Sequence, residues 1–351
     1  MRTRSPSTNQ LALTLAAAAG VTALVLATRA ARRRARREAL RGKVVVIIGG
    51  TRGLGLAMAR RFVDLGCPIA ICGRDEDTAE RARLDLMARG GTVVAASCDA
   101  TDEAEVARFL DLVLANLGHV DVLVTCAATI GVGPLESLST RDFQEAMESI
   151  FWSSVHPTLA VLPIMRGHGG GRIAHVTSIG GRVPIPHLLA YSAAKFAEVG
   201  FSEGLRAEVA KDDIAVTTIV PGLMRTGSYV HAHFHGDVVK EQAWFGTAST
   251  APGLSMDADR AALQMIDAIA AKRSRVIVGM PARLAISAYE LFPRTTSRAL
   301  SASARALPSA PDDPTIEHRL VFEETDDERA SVRAVQDAGR VYQERYQHLS
   351  R

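Results

Sequence analysis

From residue 43 onward, short apolar runs alternate with stretches in which apolar residues recur at helical spacing. This alternation is typical of repeated strand–helix units, in which helices cover both faces of a parallel sheet. The runs are rich in β-branched residues, as fully buried strands are. Seven strands are predicted, at Val44–Ile48, Pro68–Cys72, Thr92–Ser97, Asp121–Thr125, Arg172–Thr177, Ala215–Val220 and Arg275–Val278. The predicted fold class is therefore α/β, with a doubly wound, seven-stranded parallel sheet.

The chain of 351 residues exceeds the roughly 250 residues that one domain of this type commonly takes. We divide it into an N-terminal anchor with an arginine-rich linker (residues 1–42), a main domain (43–280) and a helical, polar C-terminal extension (281–351). Within the main domain, residues 221–256 have an irregular pattern with Gly, His and aromatic residues. Such a long irregular segment is more often a functional lid than a connector, so we place substrate contacts there.

The N-terminal segment contains an uncharged run from Leu11 to Thr28. As a helix it would span roughly 27 Å, close to a hydrocarbon core of about 30 Å. Many cationic residues follow the run, namely Arg29, Arg32, Arg33, Arg34, Arg36, Arg37, Arg41 and Lys43. Because the more basic flank normally stays in the cytoplasm, we predict a single-pass transmembrane helix with the main domain facing the cytoplasm. The arginines would then contact membrane lipids. A surface-lying helix and a signal peptide are the alternatives.

Composition narrows the classes of function. Hydrophobic residues are 47% of the chain and aromatic residues 5%, which predicts an aliphatic core. The net charge is only +3 and its excess lies between residues 29 and 43, so we expect no nucleic-acid partner. The cysteines lack a paired spacing for zinc, and a core of this size needs no disulfides. We expect buried thiols in a reducing compartment at Cys67, Cys72, Cys98 and Cys126.

A glycine-rich sequence follows the first predicted strand directly and reads Gly49-Gly50-Thr51-Arg52-Gly53-Leu54-Gly55. A backbone without Cβ atoms can approach a pyrophosphate closely, and the next helix offers free N–H groups and a positive dipole end. Glycine clusters also form ordinary tight turns. The strand before this cluster and the helix after it indicate a dinucleotide site.

The end of the second predicted strand bears on the choice of cofactor. An NAD-preferring site usually presents a carboxylate there to the ribose 2′-hydroxyl, and none occupies the turn before Arg74. Arg52 and Arg74 are instead available to bind a 2′-phosphate, so NADP(H) is the predicted cofactor. The alternative is that both arginines are solvated and Asp75 binds the ribose. Asp99 is placed to accept from the adenine amino group, unless it caps the following helix.

Three residues further along the chain suit proton transfer at a substrate oxygen. Tyr191 and Lys195 are four positions apart in a stretch with helical periodicity, so their side chains share one face. An ammonium beside a phenol favours the phenolate, which helps the phenol to exchange a proton with a carbonyl or alcohol oxygen. Ser178, at the end of the fifth predicted strand, is placed to hydrogen-bond the same oxygen.

Together these motifs resemble the short-chain dehydrogenase/reductase family over about residues 43–280. The resemblance implies a Rossmann-like fold in which Ser178 orients the substrate and Tyr191 is the general acid/base. It also implies that Lys195 binds the nicotinamide ribose and that Thr226, behind Pro221, faces the nicotinamide amide. The predicted cofactor-binding residues are Gly49, Thr51, Arg52, Gly53, Leu54, Gly55, Arg74, Asp99, Ala127, Lys195, Pro221 and Thr226.

Two positions depart from the family pattern. The family has Asn-Asn-Ala-Gly after the fourth strand, where this chain has Thr-Cys-Ala-Ala from residue 125. The helix asparagine of the family's catalytic tetrad aligns with Ile150. This helix is predicted to begin at a capping box of Ser139 and Asp142 and to run to about Arg166. Because an isoleucine side chain forms no hydrogen bonds, we expect a local kink to free the Ile150 carbonyl for the missing interaction. The nearby serines Ser149, Ser153 and Ser154 are further candidates for it.

The expected function is that of an NADP(H)-dependent oxidoreductase interconverting a carbonyl and a secondary alcohol. The predicted anchor, the lid and the apolar, basic segment after Met280 favour a lipophilic small-molecule substrate. His231, His233 and His235 alternate in the lid without an evident metal-binding partner, so we expect solvated or substrate-facing histidines and no metal. The alternatives are a cofactor-binding pseudoenzyme, acting as a redox sensor or scaffold, and a sugar-nucleotide epimerase. The substrate, the direction of reaction and whether the chain forms a homo-oligomer stay open.

Overall fold

The computed structural model describes residues 8–310, 319–320 and 340–346. Its centre is a sheet of seven strands in which all neighbours are parallel. The strands are β1 (Val45–Ile48), β2 (Ile69–Gly73), β3 (Val93–Ser97), β4 (Val122–Thr125), β5 (Gly171–Val176), β6 (Ile214–Pro221) and β7 (Arg275–Val278). The predicted doubly wound, Rossmann-like sheet is confirmed, with every strand close to its predicted bounds.

The strand order is β7-β6-β5-β4-β1-β2-β3. Because β1 pairs with β2 on one side and with β4 on the other, the connections wind in opposite directions from this point. A crevice opens where the winding reverses, beyond the carboxyl ends of the strands. In β1, Val45 and Ile47 face one layer of the core, whereas Val46 and Ile48 face the other.

Helices cover both faces of the sheet. Their bounds are α1 (Thr8–Glu38), α2 (Gly53–Asp64), α3 (Glu76–Ala88), α4 (Glu103–Leu117), α5 (Thr140–Ala146), α6 (Ser153–Gly167), α7 (Leu189–Glu208), α8 (Val238–Thr250), α9 (Ala258–Ala270), α10 (Met280–Leu291) and α11 (Pro293–Ala304). Residues of α2, α3 and α9 share one core layer. Residues of α4, α6 and α7 share the other. The two layers hold the strand ends, and the loops that follow them, in fixed positions.

The helix predicted from Ser139 to Arg166 is interrupted. Its capping box is present, with the Ser139 N–H donating to Asp142 Oδ2 at 2.6 Å. Between α5 and α6, residues Met147–Trp152 form a π-helical segment that contains the buried Ile150. Ser153 Oγ donates a hydrogen bond to the Ser149 carbonyl at 2.8 Å and lies 3.3 Å from the Ile150 carbonyl. The helix is therefore distorted at the position where we expected a kink.

The lid segment, residues 221–256, is more regular than its sequence indicates. It contains the thirteen-residue helix α8 and three two-residue strands, at Met224–Arg225, His233–Phe234 and Met256–Asp257. The first and third of these strands pair with each other in parallel. The sequence pattern did not indicate these elements. The segment borders the cavity described below, and its role as a substrate lid stays a prediction.

The C-terminal extension, which was predicted to be helical, begins with two helices, α10 and α11. Residues 340–346 are helical as well, and Tyr346 is fully buried against the core. Arg60 of α2 donates a hydrogen bond to the carbonyl of Arg345 at 2.8 Å. Residues 311–318, 321–339 and 347–351 of the predicted extension lie outside the described residues.

The first helix, α1, contains the predicted membrane segment. Near its end, the Arg37 guanidinium pairs with both carboxylate oxygens of Asp267 in α9, at 2.5 and 2.8 Å. The side chains of residues 8–21, which include most of the uncharged run, are outside those described. Among the described residues no helix is long and apolar enough to cross a membrane, so the predicted transmembrane helix is not supported.

The four cysteines are free thiols. Three are buried, whereas Cys126 is partly buried. Burial raises the pKa of the Cys67 thiol to about 12, with a further contribution from Asp121. The expectation of buried thiols is therefore confirmed for three cysteines but not for Cys126, and the reducing compartment stays a prediction.

Candidate active site

One cavity of about 1530 Å³ lies at the carboxyl ends of the strands. The loops after β1, β2, β4, β5 and β6 all contribute to its wall, as expected for the crevice of a doubly wound sheet. Every residue predicted for catalysis or cofactor binding lines it, namely Gly49, Thr51, Arg52, Gly53, Leu54, Gly55, Arg74, Asp99, Ala127, Ser178, Tyr191, Lys195, Pro221 and Thr226. The fold therefore brings together residues that are up to 177 positions apart in the chain.

The glycine-rich loop requires glycine at several points. A Cβ atom at Gly55 would overlap the carbonyl oxygen of Gly49, and one at Gly49 would lie 2.7 Å from the Ala127 nitrogen. Gly49 also has a φ of 77°, in the left-handed region that favours glycine. Gly53, Leu54 and Gly55, the first residues of α2, line the cavity, and no side chain caps the start of this helix. This cradle fits the pyrophosphate of a dinucleotide.

Two arginines stand at the end of the cavity beside β2. Burial lowers the pKa of Arg52, and the nearby Arg74 guanidinium lowers it further. Among the described residues, neither arginine forms an ion pair with a carboxylate. Asp75 caps α3 instead, where its Oδ1 accepts from the Thr78 N–H at 2.7 Å and from the Thr78 hydroxyl. Because Asp75 is already bonded to Thr78, it is less suited to bind the ribose. Arg52 and Arg74 therefore form a positively charged site in the cavity wall.

Asp99 lies at the cavity in the loop after β3. Its Oδ1 accepts hydrogen bonds from the N–H and hydroxyl groups of Thr101, at 2.9 and 2.8 Å. The helix that follows is capped by Asp102, which accepts from the Ala104 and Glu105 N–H groups. Asp99 is therefore held by a local turn and does not cap α4, so the contact with adenine stays a prediction.

Ser178 and Tyr191 flank one point of the cavity wall. A Cβ atom at Gly180 would lie 3.1 Å from Tyr191 Cε1 and 3.5 Å from Ser178 Oγ. Ser178 Oγ accepts a hydrogen bond from the Gly180 N–H at 3.0 Å. That bond does not use the hydroxyl hydrogen of Ser178, which can be donated to a substrate oxygen. The two side chains are thus placed to contact the same substrate atom.

Lys195 lies one turn after Tyr191 in α7 and is buried. Its ammonium donates to the Val176 carbonyl at 3.1 Å and to Glu198 Oε2 at 2.8 Å. Burial disfavours the charge of Lys195, but the Glu198 carboxylate and Tyr191 outweigh this effect and raise the pKa of Lys195. Lys195 therefore remains an ammonium, as the resemblance requires.

Glu198 also belongs to this site, although it was not among the residues predicted from the sequence. The carboxylate is 1% exposed, and its second oxygen accepts from Ser154 Oγ at 2.7 Å. Ser154 in turn lies 3.2 Å from Thr125 Oγ1, at the end of β4. An acidic residue three positions after the lysine in a helix faces the same side, and this spacing is the signal that was available.

The three lid histidines lie near different groups. His231 and His233 line the cavity. His235 is buried, with its Nδ1 3.7 Å from a carboxylate oxygen of Asp142. Among the described residues, no cluster of His, Cys, Asp or Glu has the geometry to hold a metal ion.

Known proteins share these features. A model of the short chain dehydrogenase family matches residues 43–232, more than half of the chain. The chain belongs to the short-chain dehydrogenase/reductase family. Its members use a nicotinamide dinucleotide and act on small molecules, so the predicted class of cofactor and of substrate is confirmed at this level. The family relationship also makes this chain an oxidoreductase.

Several curated members of the family are similar to this chain. Dehydrogenase/reductase SDR family member 7B from Bos taurus is 30% identical over 276 residues, 77% of this chain and 83% of that protein. An SDR family protein 7-like from Anopheles gambiae is 37% identical over 198 residues, 55% of this chain and 62%, less than two thirds, of that protein. A fatty acyl-CoA reductase from Acinetobacter baylyi is 32% identical over 192 residues, 54% of this chain and 65% of that protein.

Two solved structures of the family hold the reduced cofactor. L-sorbose reductase from Gluconobacter frateurii, complexed with NADPH and L-sorbose, is 27% identical with a TM-score of 0.61. The match covers 69% of this chain and 97% of that one. A variant of actinorhodin polyketide ketoreductase with NADPH is 25% identical with a TM-score of 0.61 and the same coverage. The named substrates of these relatives differ widely, so they do not identify the substrate of this chain.

Proposed function

We propose that this short-chain dehydrogenase/reductase interconverts a carbonyl and a secondary alcohol with NADP(H), and that its substrate is lipophilic. The observation that carries the proposal is the meeting of Ser178, Tyr191 and Lys195 in the wall of the same cavity as the glycine-rich loop. A proton donor and a hydride donor must reach adjacent atoms of one carbonyl group, and a shared cavity meets this requirement.

In the reducing direction, bound NADPH would supply the hydride. Ser178 donates its hydroxyl hydrogen to the carbonyl oxygen and holds the substrate in place. Tyr191 gives its phenolic proton to the same oxygen as charge develops there, while the Lys195 ammonium stabilises the phenolate that remains. Lys195 also binds the nicotinamide ribose, and Thr226 faces the nicotinamide amide. Each of these roles follows from the family resemblance and agrees with the position of the side chain in the cavity.

The preference for NADPH over NADH rests on Arg52 and Arg74. Their guanidinium groups lie close enough to repel each other, and a 2′-phosphate placed between them would relieve that repulsion. We expect Arg74→Ala to raise the Kd for NADPH about tenfold, which corresponds to about 1.4 kcal/mol, and to leave the Kd for NADH within about twofold. Fluorescence titration of both cofactors measures this effect.

Arg298→Ala is the matched control for this prediction. Arg298 is an exposed arginine of α11 outside the cavity lining, so its removal changes the net charge equally but leaves the proposed phosphate site intact. Equal affinity of the wild-type protein for NADPH and NADH, or an unchanged preference in Arg74→Ala, contradicts the assignment of NADP(H).

A lipophilic substrate is supported by the side of the cavity that faces the lid. Apolar side chains line this side, including Leu188, Leu223, Trp244, Phe245, Leu254 and Met280. A relative named as a fatty acyl-CoA reductase is consistent with such a substrate.

The test of the proposed function is NADPH oxidation by the purified protein across carbonyl compounds of increasing chain length. We expect kcat/KM to rise with chain length, because each buried CH₂ contributes about 0.8 kcal/mol.

The pseudoenzyme is the other candidate, and the replacement of the family asparagine by Ile150 favours it. The two candidates differ in a measurable way. If the wild-type protein binds NADPH but oxidises none with any carbonyl, and Ile150→Asn switches activity on, the pseudoenzyme is correct. If the wild type is active and Ile150→Asn changes kcat by no more than about tenfold, the enzyme is correct.

Location on a membrane is a further part of the proposal. It is supported by the exposed side chains of five arginines in α1, which can attract anionic headgroups; they are Arg29, Arg32, Arg33, Arg34 and Arg36. We propose a single-pass anchor with the catalytic domain facing the cytoplasm. Alkaline carbonate extraction of cell membranes tests it: full-length protein should stay in the pellet, and its release to the supernatant contradicts a spanning anchor.

A further inference from the structure

The buried Glu198 is a charged group to which the family resemblance assigns no role. It lies on α7, three residues after Lys195, and both of its carboxylate oxygens are engaged. Oε2 accepts from the Lys195 ammonium at 2.8 Å, and Oε1 accepts from Ser154 Oγ at 2.7 Å. A carboxylate removed from water in this way is costly unless its partners compensate, so its presence at this position calls for an explanation.

The other titratable groups around Lys195 leave Glu198 as its counter-ion. His175, on β5, is buried, and its pKa is lowered to about 3 by burial and by the charge of Lys195. Burial raises the pKa of the Cys126 thiol, after β4, to about 12, although Lys195 opposes this shift. Tyr191 faces Lys195 from the preceding turn of α7. His175 and Cys126 are thus neutral near pH 7. Burial raises the pKa of Glu198, whereas the charge of Lys195 and the hydrogen bonds from Lys195 and Ser154 oppose this shift. Glu198 is the acidic group in direct contact with the ammonium.

The geometry of the ammonium indicates what Glu198 does. An ammonium has three N–H donors, and two of those on Lys195 are directed to the Val176 carbonyl and to Glu198. Because Lys195 also lines the cavity, the remaining N–H is the one available to a cofactor ribose or to the phenol of Tyr191. Two fixed partners inside the protein therefore determine the direction of the third N–H.

The distorted helix explains how the chain manages without the family asparagine. Ile150 lies within the π-helical segment, where Ser153 Oγ donates to the Ser149 carbonyl and only weakly to the Ile150 carbonyl. Ser154 follows at the start of α6 and directs its hydroxyl to Glu198. The helix that in the family contributes an asparagine thus contributes a serine here, which acts on Lys195 through Glu198.

We propose that Glu198 is a positioning residue for Lys195: its carboxylate keeps the lysine protonated and directs the third N–H into the active site, in place of the missing asparagine. This inference rests on the proposed function for its catalytic consequence. For its effect on cofactor binding it needs only that Lys195 contacts the ribose.

Glu198→Gln is the first test, since glutamine retains an oxygen acceptor for Lys195 but loses the charge. Without the carboxylate, burial lowers the pKa of Lys195, so the ammonium is lost at a lower pH than in the wild type. We expect kcat at neutral pH to fall about tenfold or more, because Lys195 acts on the proton transfer. The KM for the carbonyl substrate should stay within about threefold of the wild-type value. The alkaline limb of the pH profile should move down by about one pH unit or more.

Glu208→Gln is the control variant. Glu208 is the last residue of α7 and is exposed, so the same substitution on the same helix leaves the active site untouched.

Ser154→Ala is the second test. It removes only the hydroxyl group that donates to Glu198 Oε1. It should reduce kcat severalfold and move the alkaline limb in the same direction by less than Glu198→Gln does. If Glu198→Gln does not fold, Ser154→Ala alone tests the inference.

NADPH titration without any substrate separates this inference from the proposed function. In the wild type, binding should hold to high pH, and in Glu198→Gln it should weaken at a lower pH. If the wild type turns nothing over but this difference in binding appears, the inference stands and the proposed function fails. If Glu198→Gln, or Ser154→Ala when the former does not fold, matches the wild type in its pH dependence of binding and of turnover, the inference is overturned.

Discussion

Tyr191→Phe is expected to lower kcat for carbonyl reduction by about a thousandfold, while NADPH binding changes by no more than about twofold. The phenol is the proposed proton donor, and phenylalanine removes that proton without removing the ring. The ring packs beside Gly180, so its contacts in the wall of the cavity are kept. Stopped-flow or steady-state NADPH oxidation measures kcat, and fluorescence titration measures binding.

Tyr289→Phe controls for the loss of a hydroxyl group. Tyr289 lies on α10 and is not among the residues that line the cavity, so this variant should retain wild-type turnover. Retention of more than about a third of wild-type kcat in Tyr191→Phe would mean that another group protonates the substrate. The assignment of Tyr191 as general acid/base would then be wrong.

Gly55→Ala is expected to weaken NADPH binding about a hundredfold or more, equivalent to about 2.7 kcal/mol. The added Cβ atom would overlap the carbonyl oxygen of Gly49, which is backbone and has no freedom to rotate away. The glycine-rich loop would therefore be displaced from the start of α2, where the N–H groups meet the pyrophosphate. The midpoint of thermal unfolding should fall as well.

Gly200→Ala is the matched substitution. Gly200 is an exposed residue of α7, and a Cβ atom there would meet nothing within 4 Å. Alanine should stabilise this helix by about 0.5–1 kcal/mol, because glycine loses more conformational freedom on folding. If both variants bind NADPH as the wild type does, the glycine-rich loop is not the cofactor cradle.

The sheet was predictable because its central strands are buried on both faces. Strands such as β1 and β4 consist of short apolar, β-branched runs, and no helix of that length would bury them as completely. The glycine spacing and the four-residue interval between Tyr191 and Lys195 are equally local, so they could be read directly. The sequence thus predicted which residues line the cavity, because each sits at a strand end or on one helix face.

Contacts between distant segments were not predictable in the same way. Glu198 was missed because its meaning depends on Ser154, which is 44 positions earlier in the chain and is directed by a π-helical segment. Helix α8 was missed because glycine, histidine and aromatic residues around it obscure a periodic pattern. In both cases the deciding information is packing between elements, which local spacing does not record.

The helix at residues 340–346 has a consequence for the order in which the protein can fold during synthesis. Tyr342 lines the cavity beside Arg225, and Tyr346 is buried against the first core layer, where Arg60 lies over its ring. Arg60 belongs to α2, the helix that follows the glycine-rich loop, and it also donates a hydrogen bond to the Arg345 carbonyl. The ribosome must therefore have added residue 346 before α2 can reach its final packing, although the glycine-rich loop itself was synthesised almost three hundred residues earlier.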